Sequence, residues 1–435
     1  MTISKLRTAL AAFAGVAVLG LAACGGDDSS SSGFSDTDPS ELEGTEIKVL
    51  MPYKVPEEML TRFTDETGID VQYNTSAWDG VASKLVVANQ AGTYIADVTE
   101  FDWSFTGQFG GNGWVEPLQD VLDPKLLDDL GNTKASFTSD GNLYAACYSN
   151  DFRISLFNSA LFKQAGLDGF PETFDDLDQA LDTLKAKGVA DSPMTMPMSA
   201  TEGSVTPWYL LTLAMGGQLF DENNQPVFNE PDSAGVKALQ WQVDALNNGW
   251  VSPGSVTLDD GPSFERFTSG AAAVNIAGSP GNLPEANDPK ASSIAGDAEA
   301  GLVPGETGPG GSFGLQEGFA IPTTAENKDG AKVFIDWMLK PENQVELYTG
   351  AGFLPCGKAA LDDLAQSGDL QGGDVVTEEV NHLQPLFPGG APKWYSQFST
   401  EAQGLLNAAW KGDLPVQDAL DQLADKATEL AQSEG

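Results

Sequence analysis

Short apolar runs alternate with amphipathic segments in the first part of the chain that has globular character. The runs EIKVL, IDVQY and ADVTE have the residue pattern of buried strands. Between them lie PEEMLTRFTDETG, which ends on Gly68, and WDGVASKLVVANQAG, both with helical spacing of apolar residues. The order strand, helix, strand, helix, strand predicts a parallel sheet that is covered by helices.

Two later segments predict amphipathic helices with defined ends. The helix in TFDDLDQALDTLKAKG has Thr173 as a capping residue and ends at Gly188. The helix in PDSAGVKALQWQVDALNNG is expected to be capped near Asp232 and to end at Gly249, and its Trp241 is expected to pack rather than to contact a ligand. Apolar residues that recur every three or four positions predict one buried stripe, formed by Val236, Leu239, Val243 and Leu246.

Glycine and proline are concentrated between Pro280 and Gly314, which predicts a long loop region between two structured blocks. After this region, FAIP predicts a short strand and NKDGAKVFIDWMLK predicts a helix.

The N-terminal pattern is that of a secretory signal. Lys5 and Arg7 precede an apolar run from Leu10 to Leu21, and this run is shorter than the ~20 residues that a bilayer-spanning helix needs. From Gly25 to Glu43 the chain is rich in glycine, serine and aspartate and nearly free of apolar residues, which predicts a flexible tether.

The four residues from Leu21 to Cys24 resemble the lipobox of bacterial lipoproteins. In that family the cysteine is acylated and becomes the first residue after cleavage. The resemblance implies a signal peptide at residues 1–23, a tether at 24–44, and a palmitate-bearing lipid anchor on Cys24. It also implies an exported protein on the outer face of the cytoplasmic membrane.

The charge of the chain excludes some partners. Its 435 residues contain 22 basic and 63 acidic residues, which gives a formal net charge of -41. Nucleic-acid binding needs a basic face, and anionic membrane surfaces repel such a chain. The length suggests two lobes or domains after the tether.

Apart from Cys24, the chain contains two cysteines, Cys147 and Cys356. An even number of cysteines in an exported protein favours a disulfide between them. Two unrelated buried thiols are the alternative.

Signals for catalysis are few. The chain has a single histidine, His382, so HExxH zinc sites are excluded, and no cofactor or metal site is predicted. Residues 310–314 spell GxSxG, but Ser312 follows a loop and precedes a strand, which is the wrong context for a nucleophile elbow. The acidic loop from Asp221 has Pro226 where a calcium loop requires glycine. A glycosidase with paired carboxylates stays open as the enzyme alternative.

An ordered set of segments resembles the extracellular solute-binding proteins of carbohydrate ABC transporters. The set includes NLYAACYSNDFRISLFNSALFKQAGL, PETFDDL, WYLLTLAMGGQLFDENNQPVFN, GFAIPTTAENKDGAKVFIDWMLKPENQ and TGAGFLP. The resemblance implies an α/β, two-lobe, periplasmic-binding-protein-like fold, in which each lobe is a sheet flanked by helices and a ligand cleft lies between the lobes. It assigns residues 45–150 and 311–355 to lobe 1, and residues 151–310 and 356–435 to lobe 2.

The same resemblance implies a set of ligand-binding residues on the loops that face the cleft. Many relatives carry a tryptophan in the loop matched by AGSPGN, whereas this chain has Ser279, Pro280 and Asn282 there. The expected ligand-binding residues are Tyr53, Asp102, Trp103, Asn150, Asp151, Thr206, Trp208, Asn282, Gln316, Glu317, Gly318, Trp394 and Tyr395.

The expected function is capture of a sugar or oligosaccharide by hinge closure and its delivery to an ABC permease. The expected partners are the sugar, the permease subunits and, through Cys24, the membrane, and the protein is expected to be a monomer. The alternative within binding proteins is a cationic solute such as a polyamine, for which Asp102, Asp151 and Glu317 would supply counter-charges.

Overall fold

The computed structural model describes residues 39–433, apart from residues 77 and 389. The lipidation residue Cys24 and the signal peptide predicted at 1–23 lie outside the described residues. Within the segment predicted as a tether, Pro39–Leu42 forms a 3-10 helix and Leu42 is buried. The packed part of the chain therefore includes residues that precede the predicted boundary at residue 45.

Strands are numbered in chain order. They are β1 (Glu46–Met51), β2 (Asp70–Thr75), β3 (Val98–Asp102), β4 (Thr138–Ser139), β5 (Asn142–Leu143), β6 (Ala146–Ser149), β7 (Ile154–Asn158), β8 (Met194–Thr195), β9 (Val274–Gly278), β10 (Ala298–Gly301) and β11 (Glu317–Ala320).

Helices are numbered in the same way. They are α1 (Glu57–Thr67), α2 (Trp78–Ala91), α3 (Pro124–Asp129), α4 (Ser159–Ala165), α5 (Phe174–Ala186), α6 (Glu202–Ala214), α7 (Ala234–Asn247), α8 (Asp260–Thr268), α9 (Asn282–Ala286), α10 (Lys328–Met338), α11 (Pro341–Ala351), α12 (Lys358–Ser367), α13 (Gly373–Glu379), α14 (Tyr395–Trp410) and α15 (Val416–Ser433).

Two main sheets organise the described chain. The first has the strand order β2-β1-β3-β11-β6, and the second has the order β10-β7-β9-β8. In the first sheet β1 pairs in parallel with β2 and β3, as predicted, but β11 runs antiparallel to both β3 and β6. The sheet is therefore mixed, because β11 enters it from the opposite direction after a long excursion of the chain.

Helices cover both sheets. Helices α1, α2 and α10 pack on the first sheet, and α4, α6, α8 and α9 pack on the second. Helix α6 also packs with α7 and α14, and these three helices form a helical layer together with α15. The chain is thus the predicted α/β fold with two sheets flanked by helices. The exact lobe limits, 45–150 with 311–355 and 151–310 with 356–435, stay a prediction.

The predicted helix ends agree closely with the structure. Gly68 ends α1 with φ of 72°, a left-handed conformation that glycine adopts without a Cβ clash. The Thr173 hydroxyl accepts a hydrogen bond from the Asp176 amide and caps α5. Helix α7 is capped by Ser233, one residue after the predicted Asp232.

Two predictions, one about the buried face of α7 and one about a loop region, were wrong in detail. The buried face of α7 contains Ala238, Leu239, Trp241 and Ala245, whereas Val236, Val243 and Leu246 are half-buried. The face is rotated because α7 packs against α6, α14 and α15, and small residues allow the closest approach. The region between Pro280 and Gly314 is also not a plain loop, since it contains α9 and the edge strand β10.

Two segments carry the chain between the two sheets: residues 150–153 connect β6 of the first sheet to β7 of the second, and residues 313–316 lead back into β11. A third segment, residues 354–357 between α11 and α12, lies beside them. We call these three the crossover segments.

Hydrogen bonds hold the crossover segments side by side. The Asn150 amide donates to the Leu354 carbonyl at 2.9 Å, and the Leu315 amide donates to the Asp151 carbonyl at 2.8 Å. The predicted disulfide is confirmed, because Cys147 and Cys356 are bonded with a Cα–Cα distance of 5.8 Å. The disulfide joins the end of the first sheet to the third crossover segment.

We expect the disulfide to contribute strongly to stability. It closes a loop with a sequence separation of 209 residues, for which the chain-entropy model gives roughly 5 kcal/mol, and measured values are usually 2–4 kcal/mol. The double variant Cys147→Ser/Cys356→Ser should therefore lose about 2–5 kcal/mol of unfolding free energy in urea titrations without reductant.

The wild type under a strong reductant is the matched control, because its curve should approach that of the double variant. Equal unfolding midpoints for the oxidised wild type and the double variant would contradict the prediction.

Candidate functional site

Three acidic side chains lie together where β3 and β11 pair. Asp102 is directly opposite Glu317 in the antiparallel register, and Glu100 lies two residues before Asp102 on the same face of β3. All three are buried: Glu100 is 1%, Asp102 8% and Glu317 9% exposed. We call these three residues, together with Asp151 described below, the carboxylate cluster.

Neutral donors hold the carboxylates on β3 and β11. The Ser104 amide donates to Asp102 Oδ1 at 2.9 Å, and the Ser104 hydroxyl donates to the same oxygen. The Tyr148 hydroxyl lies 2.8 Å from Glu100 Oε2 and 3.4 Å from Glu317 Oε2. The single proton of the Tyr148 hydroxyl is shared between the two glutamates, and Glu317 accepts a further hydrogen bond from the Tyr53 hydroxyl.

Asp151 on the first crossover segment joins the cluster to the second sheet. Arg153 Nη1 donates to Asp151 Oδ2 at 2.9 Å, and the Ser279 hydroxyl donates to Oδ1 at 2.5 Å. Ser279 directly follows β9, and its amide donates to Asn282 Oδ1 at 2.9 Å. The Asp151 to Arg153 pair that could brace the crossover is therefore formed, while the Asp151 side chain stays about a quarter exposed.

The helical layer adds a further carboxylate. Glu202, in the first turn of α6, accepts hydrogen bonds from the Tyr395 hydroxyl at 2.6 Å and from the Ser399 hydroxyl. The Tyr395 ring packs against Trp103, with 4.9 Å between the centroids. Two predicted site residues from distant parts of the chain, Trp103 and Tyr395, are thus in direct contact.

Burial changes the acid–base properties of the carboxylate cluster. It raises the pKa of Asp102 to about 7, although the Ser104 hydroxyl and amide lower it and the charges of Glu202 and Asp151 raise it. Burial also raises the pKa of Glu317 to about 8, with Asp151 and Asp102 adding to the effect. The pKa of Glu100 is well above its ordinary value, first because of burial and then because of Glu317.

A cavity of about 700 Å³ lies beside the crossover segments. Its wall includes Trp103, Asn150 and Gln316, but not Asp102, Asp151 or Glu317. Gln316 Nε2 donates to Asn150 Oδ1 at 3.1 Å, which ties the first two crossover segments together on the cavity wall.

Each neighbouring pair, 150 with 151 and 316 with 317, therefore has one residue on the cavity and one in the carboxylate cluster. Alternation of side chains along extended segments produces this division. We call the two faces the cavity side and the carboxylate side.

The predicted site residues divide into three groups by position. The carboxylate side and its rim contain Tyr53, Asp102, Asp151, Asn282, Glu317 and Tyr395. The cavity wall contains Asn150 and Gln316, and Trp103 lies on this wall and also contacts Tyr395. Tyr53 is 42% exposed, and its ring lies 5.5 Å from that of Phe353.

The remaining predicted residues lie in the core. Trp208 is fully buried, and its Nε1 donates to the Gly235 carbonyl at 2.9 Å. Thr206, in the same helix, donates to the Gly203 carbonyl, and Gly318 lies inside the first sheet. Trp394 is 3% exposed and packs against a group of phenylalanine rings. Trp208 and Trp394 therefore serve packing, and the Thr206 hydroxyl is used within its own helix.

Sequence reasoning missed three residues of the site, Glu100, Tyr148 and Glu202. Glu100 and Tyr148 lie inside strands, where a polar residue in an otherwise buried run was a usable signal. Glu202 gave no signal in the sequence, because it lies in the first turn of a helix, where acidic residues are common for electrostatic reasons.

The two motifs set aside in the sequence have structural roles. The buried Ser312 hydroxyl donates to the Arg153 carbonyl, so it is not presented as a nucleophile. Asp221 accepts hydrogen bonds from the Asn223 and Gln225 amides within its own turn. Among the described residues there is no group of three or more His, Cys, Asp or Glu side chains placed to bind a metal, and no helix is long and apolar enough to cross a membrane.

A family model for bacterial extracellular solute-binding proteins matches residues 48–345, more than half of the chain. The chain belongs to this family. These solute-binding proteins are non-enzymatic components of transport systems, so the glycosidase alternative is not supported. The protein is a substrate-binding component of an ABC importer.

Known relatives of this solute-binding protein cover most of its length. A probable amino-acid ABC transporter periplasmic-binding protein of Sinorhizobium fredii is 26% identical, over 75% of this chain and 75% of the relative. The mannitol-binding protein of Pseudomonas aeruginosa is 26% identical, over 77% and 79%. A maltose-bound binding protein from T. maritima superposes with a TM-score of 0.78 at 21% identity, over 89% and 100%.

The similarity to the maltose-bound structure confirms the two-lobe fold. It shows the fold alone, because the sequence identity is low. The family also supports export of this solute-binding protein.

The raised pKa of Asp102 predicts a pH effect on stability. The carboxyl group of Asp102 has a pKa of about 7 in the folded state and of ~4 in the unfolded state. Its protonation therefore stabilises the fold fully below pH ~4, and this contribution is lost as the pH rises to about 7. The variant Asp102→Asn removes this titration and keeps an acceptor for Ser104. Its unfolding free energy relative to wild type should therefore increase between pH 5 and pH 8, by up to ~1.4 kcal/mol per pH unit.

Urea titrations at several pH values measure this difference. The matched control is Glu222→Gln, which changes an exposed carboxylate and should leave the difference from wild type independent of pH. A constant difference for Asp102→Asn would show that its carboxyl titrates normally in the folded protein.

Proposed function

We propose that the protein captures a hydroxyl-rich solute, a sugar or a polyol, on the carboxylate side of the crossover segments. The observation that carries this proposal is that the polar groups on the carboxylate side come from both sheets and from a crossover segment. Asp102 and Glu317 come from the first sheet, Ser279 follows a strand of the second, and Asp151 on a crossover segment contacts Ser279. A solute held by such groups contacts both halves of the protein and favours hinge closure.

The position of the cluster in the first sheet supports this choice. Ligands of α/β sheets bind outside the carboxyl ends of parallel strands, and Asp102 is the last residue of β3. The loop with Tyr53 follows the carboxyl end of the neighbouring parallel strand β1. Aromatic rings such as Tyr53 pack on the CH-rich faces of sugars, and carboxylates accept hydrogen bonds from hydroxyl groups.

The names of the relatives give an amino acid, mannitol and maltose as the solutes of those proteins. These solutes differ in charge and size, so we infer the solute class from the residues of this chain. Carboxylates and a tyrosine suit polyhydroxylated molecules, and this favours the sugar or polyol. We further propose that the protein acts as a monomer and passes the solute to an ABC permease.

A paired set of variants tests which side binds the solute. If Asp151 accepts hydrogen bonds from solute hydroxyls, Asp151→Ala should weaken binding by ~10 to 100-fold, since hydrogen bonds to charged groups contribute about 1.5–3 kcal/mol each. Asn381→Trp, which fills part of the cavity from an exposed position, should leave the affinity unchanged. Calorimetry with the best ligand from a panel of sugars and polyols gives both values.

Arg153→Gln is the matched control for a purely structural role of Asp151, because it removes the ion pair and retains the carboxylate. Equal loss of melting temperature in both variants with unchanged affinity would make Asp151 a brace of the crossover. Loss of affinity in Asn381→Trp alone would place the solute in the cavity instead.

We also propose that the protein is a lipoprotein anchored through Cys24. The support is the lipobox-like sequence from Leu21 to Cys24, which follows a short apolar run. The wild type should fractionate with membranes, and Cys24→Ala should be released or remain unprocessed, as seen by fractionation and intact-mass measurement. A wild type that is fully soluble and carries no lipid mass would refute the anchor.

A further inference from the structure

We propose that the solute carries a protonated amine in addition to its hydroxyl groups, and that the carboxylates of Asp102 and Glu317 bind this amine. The proposal rests on the proposed function, because it names the chemical class of the solute in the same site. Amino sugars and amino polyols are the molecules that combine these features.

The register of the first sheet places two buried carboxyl groups opposite each other, so ionising both of them is unfavourable. Asp102 and Glu317 are directly opposite each other on antiparallel strands, where Cβ atoms are ~4.5–5.5 Å apart and like charges destabilise the pair. Both side chains are more than nine-tenths buried. A cation between two such carboxylates relieves the repulsion and replaces the lost hydration.

The described residues do not supply that cation. In the part of the chain that the structure describes, no lysine or arginine forms an ion pair with Glu100, Asp102 or Glu317. Arg153, the arginine of the first crossover segment, is paired with Asp151. Lys54, which follows Tyr53, is exposed.

A buried acceptor without a partner points to a missing donor. Glu100 is 1% exposed, and its Oε1 accepts no hydrogen bond from any described residue. The single proton of the Tyr148 hydroxyl is shared between Glu100 and Glu317. Glu317 also has a hydrogen bond from the Tyr53 hydroxyl, so an ammonium group on Glu317 would leave the Tyr148 proton entirely to Glu100.

A neutral hydroxyl cannot replace the amine in this role. It donates one hydrogen bond but brings no positive charge. Asp102 and Glu317 then either repel each other as carboxylates or take up protons from solvent. An ammonium group favours the ionised carboxylates and therefore displaces such protons. The titratable and charged groups near the pair are Glu100, Asp151, Glu202, Tyr53, Tyr148, Tyr395 and Arg153.

The first experiment compares matched solutes on the wild-type protein by calorimetry at pH 6.5 and low salt. The probes are glucose, glucosamine and N-acetylglucosamine, then mannitol and 1-amino-1-deoxymannitol, with spermidine as a cation without hydroxyl groups. We expect each amine to bind at least ten-fold more tightly than its neutral parent and its amide. Repeating the titration in buffers of different ionisation enthalpy should show proton release from the protein.

The outcomes separate this inference from the proposed function. Equal or tighter binding of the neutral members would overturn the inference and leave capture of a hydroxyl-rich solute intact. Binding of spermidine alone would support the amine site and refute the requirement for hydroxyl groups. Absence of binding by every probe would count against both.

The second experiment removes charge without changing shape. Glu317→Gln and Asp102→Asn should each reduce the preference for amine over neutral parent by at least ten-fold. The control Glu379→Gln neutralises a buried carboxyl group outside the carboxylate cluster, which accepts a hydrogen bond from the Val303 amide. In this control the preference for the amine over its neutral parent should persist. An unchanged preference in both cluster variants would refute the assignment of Asp102 and Glu317 to the amine. If either variant does not fold, the proton-release measurement on the wild-type protein decides.

Discussion

The side-by-side hydrogen bonding of the three crossover segments is the constraint on which the rest of this structure depends. Asn150 bonds to Leu354, Leu315 bonds to Asp151, and the disulfide from Cys147 to Cys356 joins the same layer. Because these contacts hold the segments in one layer, the layer has Asn150 and Gln316 on the cavity wall and Asp151 in the carboxylate cluster. Residue alternation then decides which side chains belong to each.

The carboxylate side shows how a binding protein uses an unfavourable arrangement. Burial of Glu100, Asp102 and Glu317 without a basic partner raises the pKa of each, and the hydrogen bonds from Ser104 and Tyr148 offset only part of the effect. Groups of this kind are retained where a ligand compensates them. Under the proposed function, a bound solute would compensate these groups and so couple binding to closure.

Packing elsewhere follows ordinary rules and supports this layer. The fully buried Trp208 and the nearly buried Trp394 stabilise the helical layer that presents Glu202 and Tyr395 to the site. The contact between Tyr395 and Trp103 connects that layer to the end of β3. Trp208 and Trp394, two of the expected ligand-binding residues, are thus packed within this layer.

The sequence by itself determined the order of strands and helices from β1 to β3, the caps at Gly68 and Thr173, the expected bridge between Cys147 and Cys356, and the family. These features depend on local periodicity and on short motifs. It also brought Asp102, Asp151 and Glu317 forward as acidic site residues. The tertiary structure alone decided that Asn150 and Gln316 face a cavity and that Trp208 is core.

Only the tertiary structure revealed the roles of Glu100, Tyr148 and Glu202, and the place of β10 in the second sheet. The physical reason is the same in each case. Which face of a strand is buried, and which distant element covers it, depends on packing between segments that are tens to hundreds of residues apart, and local pattern does not encode that packing.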